Sequence, residues 1–138
     1  ILTSLVFGLM HLGNPNATWV SALNISVAGL FLGLGMVMTG SLAIPIGLHI
    51  TWNFFQGVVF GFPVSGINFG TAVIATKAVG PQWLTGGAFG PEAGLMGLAA
   101  MVVGSVLIFL YIRRRGGGSL YVRLAEYDGA LEMEKSRI

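Results

Sequence analysis

Charged residues are almost absent from the first 112 residues of this chain. The sequence has seven basic and five acidic residues, and of these only Lys77 and Glu92 precede Arg113. Charged residues make up 9% of the chain, whereas about 25% is usual for a soluble domain. Because burying charge in a bilayer is costly, such a composition is typical of membrane segments. We therefore divide the chain into a membrane-embedded core, residues 1–112, and a hydrophilic tail, residues 113–138.

Four apolar segments in the core are candidate membrane spans. A transmembrane helix needs roughly 20 mostly apolar residues. Residues 18–39, 41–62 and 93–112 meet this length without a formal charge, and residues 1–12 have the character of the end of a fourth span. The sequence therefore predicts an all-α fold, a polytopic transmembrane helical bundle with about four visible spans and further spans before Ile1.

The region between the last two spans, residues 62–92, contains three prolines, many glycines and Lys77. Proline breaks helices, so we predict a connecting region with one short interfacial helix near residues 69–79. Glu92 follows Pro91, a favoured first helical residue, and an acid there complements the helix dipole. We therefore interpret Glu92 as a helix-capping residue rather than a catalytic one.

The basic residues of the tail predict the orientation of the spans. Arg113, Arg114 and Arg115 directly follow the last span, and basic residues beside spans are biased toward the cytoplasm. The tail is thus expected to be cytoplasmic. A nucleic-acid partner is not expected, because the basic residues do not cluster on a folded face. With no cysteine in the chain, a thiol nucleophile and a thiolate metal site are excluded.

Strongly polar side chains are few within the predicted spans, and they are the candidate functional residues. His11 ends the first segment, and His49, Asn53 and Gln56 occupy positions i, i+4 and i+7 of the third, which share one helix face. Imidazole can act as general acid or base or bind a metal, and the Asn53 amide can donate to a developing oxyanion. The alternative interpretation is hydrogen bonding between helices, which is common in membranes.

These residues lack a carboxylate that could activate water. Hydrolysis at neutral pH needs a general base or a metal-bound hydroxide. No acidic residue lies in the predicted spans. We therefore expect the required acid to lie on a helix before Ile1, and the shortage of charge to reflect a truncated core.

Two short motifs resemble signatures of a known membrane protease family. The sequence FGLMH at residues 7–11 fits F-x-x-x-H, and HITWN at residues 49–53 fits H-x-x-x-N. These are the second and third signatures of the CPBP intramembrane proteases, also called the CAAX prenyl protease type II or Abi family, in which one span separates them. The resemblance covers the carboxy-terminal half of the family's core. The first signature, E-E-x-x-x-R, would precede Ile1, and residues 86–95 resemble a glycine-rich segment of bacterial members.

The resemblance implies an intramembrane endopeptidase that cleaves membrane-associated proteins or peptides, here in a bacterial cell membrane. It implies that an upstream glutamate activates water, that His11 and His49 point into a cavity, and that Asn53 joins His49 in stabilising the oxyanion. His11 and His49 are also the candidate metal ligands. A catalytic zinc usually has three protein ligands, so the upstream carboxylates would complete such a site. A metal-free glutamate mechanism is the equal alternative.

Two further functions stay open. A non-catalytic relative of the same fold would bind a membrane peptide, as in bacteriocin immunity. A transporter or channel segment would line its permeation path with the polar face of the third span. Against the transporter, the two central spans show no repeat, and no intramembrane acid supports proton coupling.

Overall fold

The computed structural model describes residues 1–114, and within them the chain is helical and contains no strand. The all-α class predicted from the sequence is confirmed. The hydrophilic tail contributes only its first two residues to this part, and residues 115–138 lie outside the described residues. The described chain has five α-helices, which are α1 (Leu2–Met10), α2 (Trp19–Thr39), α3 (Ala43–Asn53), α4 (Gln82–Thr85) and α5 (Leu95–Arg114).

Two of these helices, α2 and α5, are long and apolar enough to cross a membrane. They have 21 and 20 residues, and only 28% and 22% of their most apolar windows are buried. A core helix of a soluble protein would be mostly buried, whereas these helices present apolar side chains outward. Lipid can cover such a surface, as expected for helices that are hydrophobic all round.

The other two predicted spans are shorter than expected. α1 and the 3₁₀ helix that follows it, His11–Gly13, form a short apolar segment. The third predicted span is α-helical only over the 11 residues of α3 and then continues as a π-helix, Phe54–Val59. The hydropathy of the sequence gives no indication of this change from an α-helix to a π-helix. A bundle of four full spans is therefore not confirmed.

The turns on either side of α2 follow from the local sequence. The first helical segment ends within the sequence Gly-Asn-Pro-Asn at residues 13–16, where Asn16 adopts a φ of 58°, which asparagine tolerates. The Thr18 hydroxyl accepts from the Ser21 N–H at 3.1 Å, and the Ser21 hydroxyl accepts from the Thr18 N–H at 2.7 Å. This capping box starts α2. Gly40, with a φ of 68°, ends it.

Small residues permit the close packing of α1 against α2. A Cβ at Gly8 would overlap the Ser26 hydroxyl and the Ala22 carbonyl oxygen. A Cβ at Gly29 would lie 3.0 Å from the Cα and Cβ of Ser4. Small side chains let membrane helices approach in this way. The position of α1, and of the histidine that follows it, is thus fixed by contact with α2.

Residues 69–79 form no helix, so the prediction of a short interfacial helix there was wrong. This exposed segment is instead held by the π-helix. The Phe69 ring occupies the space where a Cβ of Gly57 would lie. The N–H groups of residues 73 and 74 donate to the carbonyl oxygens of residues 58 and 59 at 3.0 and 2.8 Å. The non-helical backbone thus supplies donors to carbonyl groups at the end of the π-helix.

The glycine-rich residues 86–94 fold tightly back onto the bundle. Gly90 has a φ of 112°, and a Cβ there would overlap the Pro63 carbonyl oxygen. Glu92 lies in the first turn of the 3₁₀ helix Pro91–Ala93, in agreement with the helix-start signal. Its side chain, however, is 5% exposed and directed inward. The carboxylate therefore does not serve as the helix cap that the sequence predicted.

Candidate active site

A small cavity lies among α1, α2, α3, α5 and the connecting region. Its volume is about 40 Å³, enough for a few water molecules. Four polar residues contribute to its lining, which are His11, His49, Ser65 and Glu92. The remaining lining is apolar or aromatic and consists of Phe7, Ile25, Ala28, Phe31, Leu32, Leu48, Trp52 and Met101. Both predicted histidines therefore line one small cavity together with the buried acid Glu92.

His11 begins the 3₁₀ helix that follows α1, and the preceding turn orients its ring. The imidazole Nδ1 lies 2.6 Å from the Phe7 carbonyl oxygen. Because a carbonyl oxygen only accepts, Nδ1 carries the proton and donates it. With the proton on Nδ1, a neutral imidazole has its free lone pair on Nε2. His11 is thus held in the tautomer that can accept a proton or a hydrogen bond through Nε2.

The Phe7 ring contacts both histidines. Its centroid lies 4.6 Å from that of His11 and 5.9 Å from that of His49, with interplanar angles of 64° and 85°. Edge-to-face contacts of this kind are favourable for aromatic rings. Phe7 therefore orients His11 through its carbonyl and packs against both imidazoles through its ring, which is more than ordinary helix packing.

The polar residues predicted for one face of the third span do not all line the cavity. His49 lines the cavity, but Asn53 is not among the described residues that line it. Gln56 lies in the π-helix, where the wider winding changes the angular relation to α3. Its Nε2 donates to the Pro63 carbonyl oxygen at 2.6 Å. Gln56 thus anchors the connecting region, and the oxyanion role of Asn53 stays a prediction.

Glu92 is the cavity residue that the sequence interpretation missed. Its Oε1 accepts from Trp52 Nε1 at 3.2 Å, and its Oε2 accepts from the Ser65 N–H at 2.6 Å and the Ser65 hydroxyl at 3.0 Å. An acid therefore does line the histidine cavity within the described residues, whereas a water-activating acid before Ile1 stays a prediction. The available signal was the rarity of the residue itself, since an isolated acid in an apolar membrane chain is a functional candidate.

Ser65 connects this acid to the segment that follows His11. Asn14 Nδ2 donates to the Ser65 carbonyl oxygen at 2.9 Å, and the Asn14 N–H donates to the His11 carbonyl oxygen at 3.1 Å. Ser65 itself has a φ of 47°, uncommon for a residue with a side chain. We call Asn14, Ser65, Glu92 and Trp52 the polar network. It runs from the His11 turn to α3.

No group of three or more His, Cys, Asp or Glu side chains within residues 1–114 is arranged to hold a metal ion. His11 and His49 offer two imidazoles, whereas a catalytic zinc usually has three protein ligands. The described residues therefore do not form a zinc site by themselves. Zinc binding by His11 and His49 stays a prediction.

An apolar groove of about 380 Å³ lies beside the cavity. Three residues line both spaces, which are Phe31, Leu48 and Trp52. The other groove residues are Thr51, Phe55, Gln56, Phe60, Phe62 and Pro91. An apolar chain in this groove would therefore lie next to the histidines.

Residues 1–55 match a protein-family model described as type II CAAX prenyl endopeptidase, Rce1-like. The matched segment contains both histidine motifs, at residues 7–11 and 49–53. Over these residues the chain is therefore similar to the CPBP/CAAX proteases. Searches of curated proteins and of solved structures gave no match.

The similarity over residues 1–55 and the two long apolar helices together indicate a membrane protein. The matched segment includes His11, His49 and Asn53. It ends before Ser65 and Glu92, which the fold brings into the same cavity. The CPBP/CAAX motifs therefore account for the histidines, and the tertiary structure adds the acid.

Proposed function

We propose that the protein is an intramembrane endopeptidase that hydrolyses peptide bonds of membrane-associated proteins or peptides. The observation that carries this proposal is the shared cavity of His11 and His49, which has the volume of a few water molecules. The family match over the segment that contains both histidines supports the same reaction class.

The proposed reaction is attack of water on the scissile carbonyl carbon. A glutamate of the family's E-E-x-x-x-R signature takes the water proton as general base. His49 and Asn53 donate to the carbonyl oxygen as it becomes an oxyanion. His11 orients the water through Nε2, because its Nδ1 is occupied by the Phe7 carbonyl oxygen. The C–N bond then breaks, and the proton passes to the leaving amine.

The apolar groove is the observation that favours a substrate with a hydrophobic segment. Its shared residues, Phe31, Leu48 and Trp52, place the groove directly beside the cavity. A lipid-anchored or transmembrane peptide could fill it and place a peptide bond near the histidines. We further propose a bacterial cell membrane as the location, with the carboxyl end of α5, which carries Arg113 and Arg114, on the cytoplasmic side.

Separate replacement of His11 and His49 by alanine tests the proposal. The protein is reconstituted in liposomes with two fluorogenic probes, a prenylated peptide ending in a CAAX sequence and an unlipidated transmembrane peptide. We expect each variant to lose at least about 100-fold in kcat/KM, since positioned acid–base groups contribute on that scale. Ile50→Ala is the matched control, because Ile50 adjoins His49 but is 65% exposed.

Cleavage that survives both histidine replacements would refute the assignment. Peptide binding without cleavage by the unmodified protein would instead favour the peptide-binding function. Solute flux in the same liposomes without cleavage would favour the transporter.

A further inference from the structure

We propose that Glu92 is a positioning residue. It holds the 3₁₀ helix that carries His11 and the α3 helix that carries His49 at fixed positions on the two sides of the cavity. The acid acts through Trp52 on one side and through Ser65 and Asn14 on the other. The proposal rests on the proposed function, because the relative position of His11 and His49 matters only if these residues take part in catalysis.

On the α3 side, Glu92 fixes the turn that presents His49. Trp52 lies three residues after His49, and positions three apart are neighbours on a helix surface. The indole N–H is a donor only, and Glu92 Oε1 accepts from it at 3.2 Å. Trp52 also lines both the cavity and the groove. Loss of this hydrogen bond would therefore free the Trp52 side chain, which separates the cavity from the groove.

On the α1 side, Glu92 acts through the Ser65 turn. Glu92 Oε2 accepts from the Ser65 N–H and hydroxyl, and the Ser65 carbonyl oxygen accepts from Asn14. The Asn14 N–H in turn donates to the carbonyl oxygen of His11. The hydrogen bonds of Glu92 and the Asn14–Ser65 hydrogen bond join segments that are distant in sequence, and the Asn14–His11 hydrogen bond ends at a histidine. The polar network is therefore a continuous connection between the two motifs.

The hydrogen bonds of Glu92 favour positioning over direct chemistry. Three protein donors already bind its two oxygens, and the side chain is 5% exposed. A buried carboxylate needs such partners, and removal of one side leaves donors unpaired at a cost. Glu92 thus has the environment of an anchored structural acid that lies at a reaction cavity.

Glu92→Gln gives a specific test, because an amide has one accepting oxygen and one donating NH₂ group. If the amide oxygen accepts from Ser65, the NH₂ group faces the Trp52 N–H, and two donors oppose each other. Trp52→Phe removes that opposing donor. We therefore expect Glu92→Gln to lower kcat at least 10-fold with a smaller change in KM. The Glu92→Gln, Trp52→Phe double variant should lose less activity than Glu92→Gln alone, because the opposing donors are gone, but it should not regain full activity, because the Glu92–Trp52 hydrogen bond is still missing.

Fluorescence of Trp52 gives a readout that does not depend on activity. Trp19 and Trp83 are 75% and 67% exposed, and their replacement by phenylalanine leaves Trp52 as the single tryptophan. In that background Glu92→Gln should shift the emission maximum and increase quenching by acrylamide. Ser65→Ala keeps the backbone donor and removes only the hydroxyl, so it should give a smaller change in the same direction. If Glu92→Gln does not fold, Ser65→Ala takes its place in the test, because it also removes a hydrogen bond of Glu92.

The outcomes separate this proposal from the proposed function. Unchanged quenching and unchanged kcat in Glu92→Gln would overturn the positioning role. Loss of cleavage in Glu92→Gln that Trp52→Phe does not reduce would also overturn it and would place Glu92 among the reacting groups. Cleavage that survives both His11→Ala and His49→Ala would refute the proposed function, while the Trp52 fluorescence would still report on the polar network.

Discussion

The segment with the two histidines and the segment with Glu92 contribute to one cavity, yet their sequences differ greatly in what they reveal. Residues 1–55 contain two spaced motifs on apolar helices and match a protease family model. Residues 56–94 contain most of the π-helix, glycine-rich turns and one buried acid. The first segment can be interpreted from local pattern, because helices and motifs are local. The second acquires its role through contacts with distant residues.

The largest difference between the segments is expected in catalysis. Replacement of His49 by alanine removes a group at the cavity and should reduce kcat/KM by at least about 100-fold, or about 2.7 kcal/mol in transition-state stabilisation. Thermal unfolding in detergent should change little, since His49 is only half-buried. Equal losses for His49→Ala and for its exposed neighbour Ile50→Ala would mean that the cavity is not the reaction site.

The next effect concerns the fold of the second segment. Gly90→Ala places a side chain at a φ of 112° and against the Pro63 carbonyl oxygen. We expect a loss of about 2–3 kcal/mol in unfolding free energy, since such strain costs about 1–3 kcal/mol. Gly13→Ala is the matched control, because nothing lies within 4 Å of a Cβ there. Similar denaturation curves for the two variants would contradict the tight turn.

A smaller loss is expected in the first segment, at the contact of α1 with α2. Gly8→Ala introduces a methyl group against the Ser26 hydroxyl and should cost about 1–3 kcal/mol, as overpacking usually does. Gly33→Ala, on α2 with open space around it, should leave stability unchanged or slightly raised. Chemical denaturation in the same detergent measures both. If Gly33→Ala is the more damaging variant, the described packing of α1 is incorrect.

The smallest effect is expected where Asn14 joins the two segments. Asn14→Ala removes one hydrogen bond to the Ser65 carbonyl oxygen and should cost about 1 kcal/mol in unfolding free energy. It should also increase acrylamide quenching of Trp52 in the single-tryptophan background, but less than Glu92→Gln does. No change in quenching would show that the polar network does not transmit a change at Asn14 as far as Trp52.

The sequence predicted much of the first segment because its signals are short in range. The predicted span at residues 18–39 agrees closely with α2, and His11 and His49, which the family resemblance places at a cavity, both line one. Gln56 does not join His49 at the cavity, because it lies in the π-helix and donates to the Pro63 carbonyl oxygen instead. The predicted helix at residues 69–79 was wrong, because that segment satisfies carbonyl groups of the π-helix instead.

By itself the sequence determined the helical class, the apolar surface of α2 and α5 and the two histidine motifs, because these depend on composition and on residues close in the chain. Only the tertiary structure decided that Glu92 reaches the histidine cavity. The hydrogen bonds of its carboxylate join residues 40 and 27 positions apart. Such pairings depend on where the backbone turns at Ser65 and Gly90, and no local periodicity encodes them.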